Sequence, residues 1–137
     1  MCGQDMTGKD YHHFKDYGST FVPGSRLEEG LIPNLTIAEH WALQIPGKFW
    51  IKWPRADRLA DDSITRFNIK GQKQSLVESL SGGNQQRLLL SFLPSAPKLL
   101  LLENPARGLD VESGHWVWRQ LQQYCDADAC IVFSWCE

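Results

Sequence analysis

Four consecutive leucines, Leu99 to Leu102, stand between Lys98 and Glu103 with no polar residue among them to mark a wet side. An uninterrupted apolar tetrad of this kind belongs to a parallel strand covered on both faces. Downstream, Val111 to Tyr124 places Gly114, Val117, Trp118, Leu121 and Tyr124 on one helical stripe, and Cys130 to Phe133 reads as a second buried strand. Strand, helix, strand in that order argues for an α/β core.

The chain of 137 residues suits one folding unit, or part of one. Its 42% hydrophobic and 22% charged content sits near globular averages, which sets aside disordered and fibrous classes. A net charge of -2 offers no electrostatic footprint for nucleic acid or an anionic membrane. No apolar run approaches the roughly 20 residues that cross a bilayer. The opening MCGQDMTGKD lacks the basic flank and apolar core of a secretory signal, so the expected compartment is the cytoplasm. Cys2, Cys125, Cys130 and Cys136 have no CxxC spacing and are expected to be reduced thiols.

The amino-terminal third alternates short elements. A helix over 7–17 ends at Gly18, a strand follows at 19–22, and Pro23-Gly24-Ser25 breaks it before a loop over 26–30. Thr36-Ile-Ala-Glu39 has capping-box form and opens a helix to about Leu43. Trp53-Pro54 starts another that ends near Asn68. Ala56, Leu59, Ala60, Ile64 and Phe67 share its apolar face, and Arg58, Asp62 and Arg66 are spaced for ion pairs on the other. Residues 31–80 therefore read as a helical subdomain between a core fragment over 1–30 and a second over 81–137. A third helix, Asn84 to Leu93, is apolar on nearly all sides and is expected to be buried.

Two glycines precede that helix in Leu80-Ser81-Gly82-Gly83-Asn84-Gln85-Gln86. Without Cβ atoms they let backbone N–H groups approach an anion, and the helix N-terminus behind them adds partial positive charge. A plainer reading makes Ser81 and Asn84 caps of a core helix. Taken in order, Phe21-Val22-Pro23, this LSGGNQQ stretch, Leu99 to Leu102 followed by Glu103-Asn104-Pro105, and Arg107-Gly108-Leu109-Asp110 resemble an ATP-binding cassette (ABC) ATPase. The similarity is to the second nucleotide-binding half of sugar and nucleoside importer ATPases, and it covers essentially the whole chain.

The resemblance implies an incomplete P-loop NTPase core with a helical subdomain, and it implies roles. Ser81, Gly82 and Gly83 would cap the ATP γ-phosphate in trans, on the opposite subunit, and Gln85 would join them in binding that nucleotide. Glu103 takes the position of the carboxylate that serves Mg²⁺ through water. Asn104 stands where the family has its catalytic glutamate; a carboxamide orients water but cannot take its proton, and losing a general base removes roughly 10²- to 10⁴-fold of rate. As a plain turn residue before Pro105, Asn104 predicts weak hydrolysis equally. Gly24 replaces the Q-loop glutamine, Asp110 has the D-loop position as well as that of a helix N-cap, and the switch histidine would fall near Trp135.

No G-x-x-x-x-G-K-[ST] occurs in the sequence, so a partial cassette, a truncated gene product, is expected. The partners so implied are a second nucleotide-binding half with an intact P-loop and transmembrane permease subunits, with ATP and Mg²⁺ as cofactors. The chain would lie at the inner face of the membrane and complete its partner's ATP site without hydrolysing ATP itself. A nucleotide-independent docking remnant is the alternative; an SMC-type fragment is disfavoured because no sustained heptads appear. His12, His13, His40 and His115 lack metal spacing and read as surface or packing residues. Trp41, Trp50 and Trp53 flank the helical subdomain and are expected to fill its small core, an exposed patch toward a permease being the other reading.

Overall fold

The computed structural model describes residues 5–47 and 50–135. Its centre is a three-stranded parallel sheet, β1 (Ser19–Val22), β2 (Leu99–Glu103) and β3 (Cys130–Ser134), in that spatial order. Thr20 aligns with Leu100 and Val22 with Leu102; on the other side Leu100 aligns with Ile131 and Leu102 with Phe133. The fold is α/β, with five α-helices among the described residues: α1 (Tyr11–Asp16), α2 (Ile37–Gln44), α3 (Trp53–Phe67), α4 (Gly82–Ser91) and α5 (Val111–Asp126).

Local chemistry sets the element ends. Asp10 caps α1, and Gly18, at φ 86°, takes the left-handed turn after it. The capping box on α2 is complete: Thr36 Oγ1 accepts from Glu39 N–H at 3.2 Å while the Glu39 carboxylate accepts from Thr36 N–H at 2.7 Å. Asn68, at φ 49°, ends α3 in the left-handed conformation. The two stems of the helical region are stitched together: Ala38 N–H donates to Lys73 C=O at 3.0 Å and Val77 N–H to Leu35 C=O at 3.0 Å. One cluster of buried side chains runs from Val22, Leu100 and Leu102 through Leu88, Leu90, Val117 and Leu121 to Ile37, Ala60 and Phe67.

Several expectations change in three dimensions. On β2, Leu100 and Leu102 are fully buried, but Leu99 and Leu101 are only half-buried, and Phe21 beside them is 43% exposed; one sheet face is covered well and the other poorly. β3 is an edge strand, not a buried one. Val132 and Phe133 remain about half exposed, and Trp118 of α5 reaches Phe133 ring edge to face at 5.0 Å between centroids. Residues 26–30, expected as a loop, wind into a wide π-helical turn in which Leu31 N–H donates to Arg26 C=O at 2.6 Å.

Helix α4 begins and ends two residues earlier than its apolar run suggests, so both glycines lie inside its first turn. The spaced charges of α3 do not pair with one another. Arg58 Nε donates to Pro54 C=O at 3.1 Å, Arg66 lies over the Phe67 ring, and Lys73 takes Asp61 at 2.9 Å. Exposed i,i+4 pairs gain too little to hold two long side chains in place.

The aromatic expectation divides. Trp41 packs inward, its indole N–H donating to Ser63 Oγ at 2.9 Å and its ring meeting Phe92 at 5.0 Å. Trp50 is 88% exposed and Trp53 46%, so these two do not fill a core. His40 is the packing histidine: Ile32 N–H donates to its Nε2 at 2.9 Å, and its Nδ1 stands 2.8 Å from Thr36 C=O. Cys125 and Cys130 are free thiols; Cys2 and Cys136 lie outside the described residues.

Candidate functional site

The signature stretch is built where two helices start side by side. Ser81 is the N-cap of α4, its Oγ accepting from Asn84 N–H at 3.4 Å and from the Asn84 side-chain amide at 2.8 Å. Asp110 is the N-cap of α5 and accepts from Ser113 N–H at 2.9 Å. That N–H lowers the Asp110 pKa below the ordinary aspartate value, so the cap is an ionised carboxylate near neutral pH.

Gly83 is what lets the two starts meet. A Cβ on it would lie 2.5 Å from Ser113 Oγ and 3.1 Å from Ser113 Cβ, so any larger residue would have to turn the hydroxyl aside and press on α5. The N–H groups of Gly82 and Gly83, in the first turn of α4, have no acceptor among the described residues. They open on a hollow of about 250 Å³ whose lining includes Ser81, Lys70, Arg87, Asp110 and Glu112.

Three cations surround this loop without having been singled out from sequence. Arg87 donates to Phe67 C=O at 3.0 Å and covers the Trp116 ring at 4.1 Å, tying α3, α4 and α5 together. Burial lowers its pKa, opposed by Glu112 and Asp110. Arg26, from the π-helical turn, donates to Arg107 C=O at 2.9 Å and brings Nη2 within 3.3 Å of where a Gly82 Cβ would stand. Its pKa is lowered by burial and by Arg107. Lys70 supplies the third, its backbone N–H donating to Asn84 Oδ1 at 2.8 Å. The sequence signal for Arg87 was its place directly after LSGGNQQ; Arg26 gave none, because only the fold carries residue 26 to residue 107.

Gln85 faces inward. It is 7% exposed, and its amide nitrogen donates to Leu80 C=O at 3.1 Å and Val77 C=O at 3.2 Å, which fastens the preceding chain to α4. Of the four residues expected at the phosphate, Ser81, Gly82 and Gly83 therefore offer the outward groups.

Glu103 and Asn104 lie at the carboxyl end of β2, where open α/β sheets place ligands. Glu103 is exposed and accepts from Gly24 N–H at 3.4 Å. Asn104 has φ 41°, with its N–H donating to Ser134 C=O at 3.0 Å and its C=O accepting from Arg107 N–H at 2.9 Å. Asparagine tolerates the left-handed region better than a longer side chain does, so backbone geometry accounts for it at this position. Among the described residues no three His, Cys, Asp or Glu side chains gather as a metal site. Glu103 alone could hold a hydrated Mg²⁺, which commonly keeps several waters.

Known proteins match this chain along most of its length. An uncharacterized ABC transporter ATP-binding protein YphE of Escherichia coli K12 is 28% identical over 137 residues, covering 96% of this chain and 27% of that protein. The ribose import ATP-binding protein RbsA 2 of E. coli O157:H7 is 33% identical over 124 residues, 85% of this chain and 24% of that protein. The xylose import ATP-binding protein XylG of Photobacterium profundum is 31% identical over 129 residues, 90% of this chain and 25% of that protein.

Along most of its length the chain is homologous to ABC transporter ATP-binding proteins.

No family model matches it. The chain spans about a quarter of the length of the relatives it matches. Among its described residues no helix is long and apolar enough to cross a membrane.

Proposed function

We propose that this chain is part of the ATP-binding subunit of an ABC importer for a sugar, supplying its signature loop in trans to an ATP site whose P-loop lies on a partner half. The observation that carries the reading is the pair of unbonded N–H groups at Gly82 and Gly83, flanked by exposed Ser81 and by Lys70 and Arg87. Backbone donors at a helix start with cations beside them fit a phosphate oxygen. Bound ATP supplies the anionic charge that such donors recognise. Ser81 offers its hydroxyl, and the two glycines leave the approach open.

Its own hydrolytic position is degenerate on this reading. Asn104 can orient a water but accepts no proton from it, while Glu103 keeps a carboxylate for hydrated Mg²⁺. The sugar substrate rests on the similarity to the ribose and xylose import proteins, and permease subunits at the inner face of the membrane are the matching partners.

The test mixes this chain with a cassette half that has a P-loop and catalytic glutamate, and measures association and ATP turnover for wild type and Ser81→Arg. ATP-dependent association that the arginine abolishes is the expected result. Association indifferent to ATP and to the substitution would overturn it in favour of nucleotide-independent docking. That second reading draws on the Gly83–Ser113 contact, which already explains one glycine by packing alone.

A further inference from the structure

The end of α2, residues 50–52 and the start of α3 carry large apolar side chains that stand in solvent. Trp50 is 88% exposed, Leu43 62%, Ile51 57% and Trp53 46%. Leu43, Trp50 and Ile51 line one shallow hollow of about 280 Å³ together with Lys52. Aromatic and aliphatic groups this exposed, side by side, mark a surface that meets something less polar than water.

Charge identifies what. Lys52 and Arg55 are exposed and alternate with the apolar residues in Trp50-Ile51-Lys52-Trp53-Pro54-Arg55. No carboxylate occurs in the sequence between Glu39 and Asp57. The two bounding acids are engaged elsewhere: Glu39 in the capping box with Thr36, and Asp57 beside Lys73 at 3.9 Å. The overall charge of -2 thus hides a segment that is wholly cationic.

We infer that this patch contacts the surface of an anionic lipid bilayer, with Trp50 and Trp53 at the headgroup level and Lys52 and Arg55 at lipid phosphates. Tryptophan is enriched at the water–bilayer boundary because its ring is apolar and its N–H polar, and long cationic side chains lay their stems on apolar surface while the head reaches phosphate. A protein-docking core fits less well, since lysine is depleted there and here stands among the aromatic anchors. Each cation near such a surface adds about fivefold to partitioning. The contact needs no nucleotide and stands apart from the signature loop.

The experiment is co-sedimentation of the chain, without ATP, with vesicles of phosphatidylcholine alone or mixed with phosphatidylglycerol, and quenching of tryptophan fluorescence by brominated lipid. Binding to the anionic vesicles is expected, weakened by salt, severalfold weaker for Trp50→Ser, and weaker by up to about 25-fold for Lys52→Gln/Arg55→Gln. Trp135→Ser, which removes an exposed tryptophan outside the patch, leaves binding unchanged. Because Trp50 is almost wholly in solvent, its loss spares the fold, and circular dichroism checks that. No binding to anionic vesicles, or equal loss from Trp50→Ser and Trp135→Ser, overturns the inference. So does association that depends on Trp50 only when a permease is present, which would make the patch a protein-docking surface.

Discussion

The backbone N–H of Gly24 donates to the Glu103 carboxylate at 3.4 Å, and a Cβ on Gly24 would stand 3.1 Å from the Glu103 carbonyl oxygen. The turn after β1 therefore rests directly on the end of β2, at a distance that a side chain at residue 24 would make tight. Gly24→Gln, which introduces the side chain expected at this position from the resemblance, has to push this turn outward. We expect a loss of about 1 kcal/mol in stability, read from the urea midpoint. An unchanged midpoint would mean that the turn yields freely and that the contact is incidental.

Gly83 allows packing to be separated from anion binding. Gly83→Ala drives a methyl into Ser113 and is expected to cost about 1–3 kcal/mol. Adding Ser113→Gly removes the obstructing hydroxyl and should recover much of that loss. If ATP-dependent association also returns in the double variant, the glycine serves helix approach alone; if it stays lost, the open path to the backbone N–H groups matters as well.

Asn104 makes a prediction about backbone strain. At φ 41°, Asn104→Glu places a longer side chain in a conformation that disfavours it, and stability is expected to fall by about 1 kcal/mol. Thermal unfolding of the two proteins side by side is the check. A variant as stable as wild type would leave the asparagine without a conformational explanation.

Acid should weaken the fold through its caps. The folded pKa values of Asp110 and Glu39 are held below their ordinary 3.8 and 4.5 by N–H donors, from Ser113 and Thr36 respectively. A lowered folded pKa contributes stability that is present above the unfolded value and is lost as pH falls through the folded one. The melting temperature should therefore hold near neutrality and decline below about pH 5. Asp110→Asn keeps a capping oxygen without the titration, so its melting temperature should decline less over the same range. Parallel curves for the two proteins would remove Asp110 from the acid response.

Much of this was legible in the sequence wherever a rule of local chemistry applied. Thr36 and Glu39 announced their capping box, Gly18 its left-handed turn, and Val117 and Leu121 their buried stripe, because caps, turns and helical periodicity depend on residues a few positions apart. Ser81 offered itself as the cap of α4 for the same reason, although the apolar run placed the start of that helix two residues late. What failed depended on neighbours in space. An apolar run at 130–133 reads the same for a central strand and an edge strand, and the indoles of Trp41 and Trp50 look alike until Ser63 and Phe92 are found beside only the first.

By itself, then, the sequence determined the alternation of strands and helices, the caps that bound them and the glycine pair at Gly82-Gly83 that carries the resemblance. The tertiary structure alone decided that Gly83 answers to Ser113, that Gly24 answers to Glu103, that Arg26 reaches Arg107, and that Trp50 faces solvent. The division has one cause: backbone propensity and capping act over a few residues along the chain, whereas steric exclusion and burial act between atoms that only folding brings within a few ångströms.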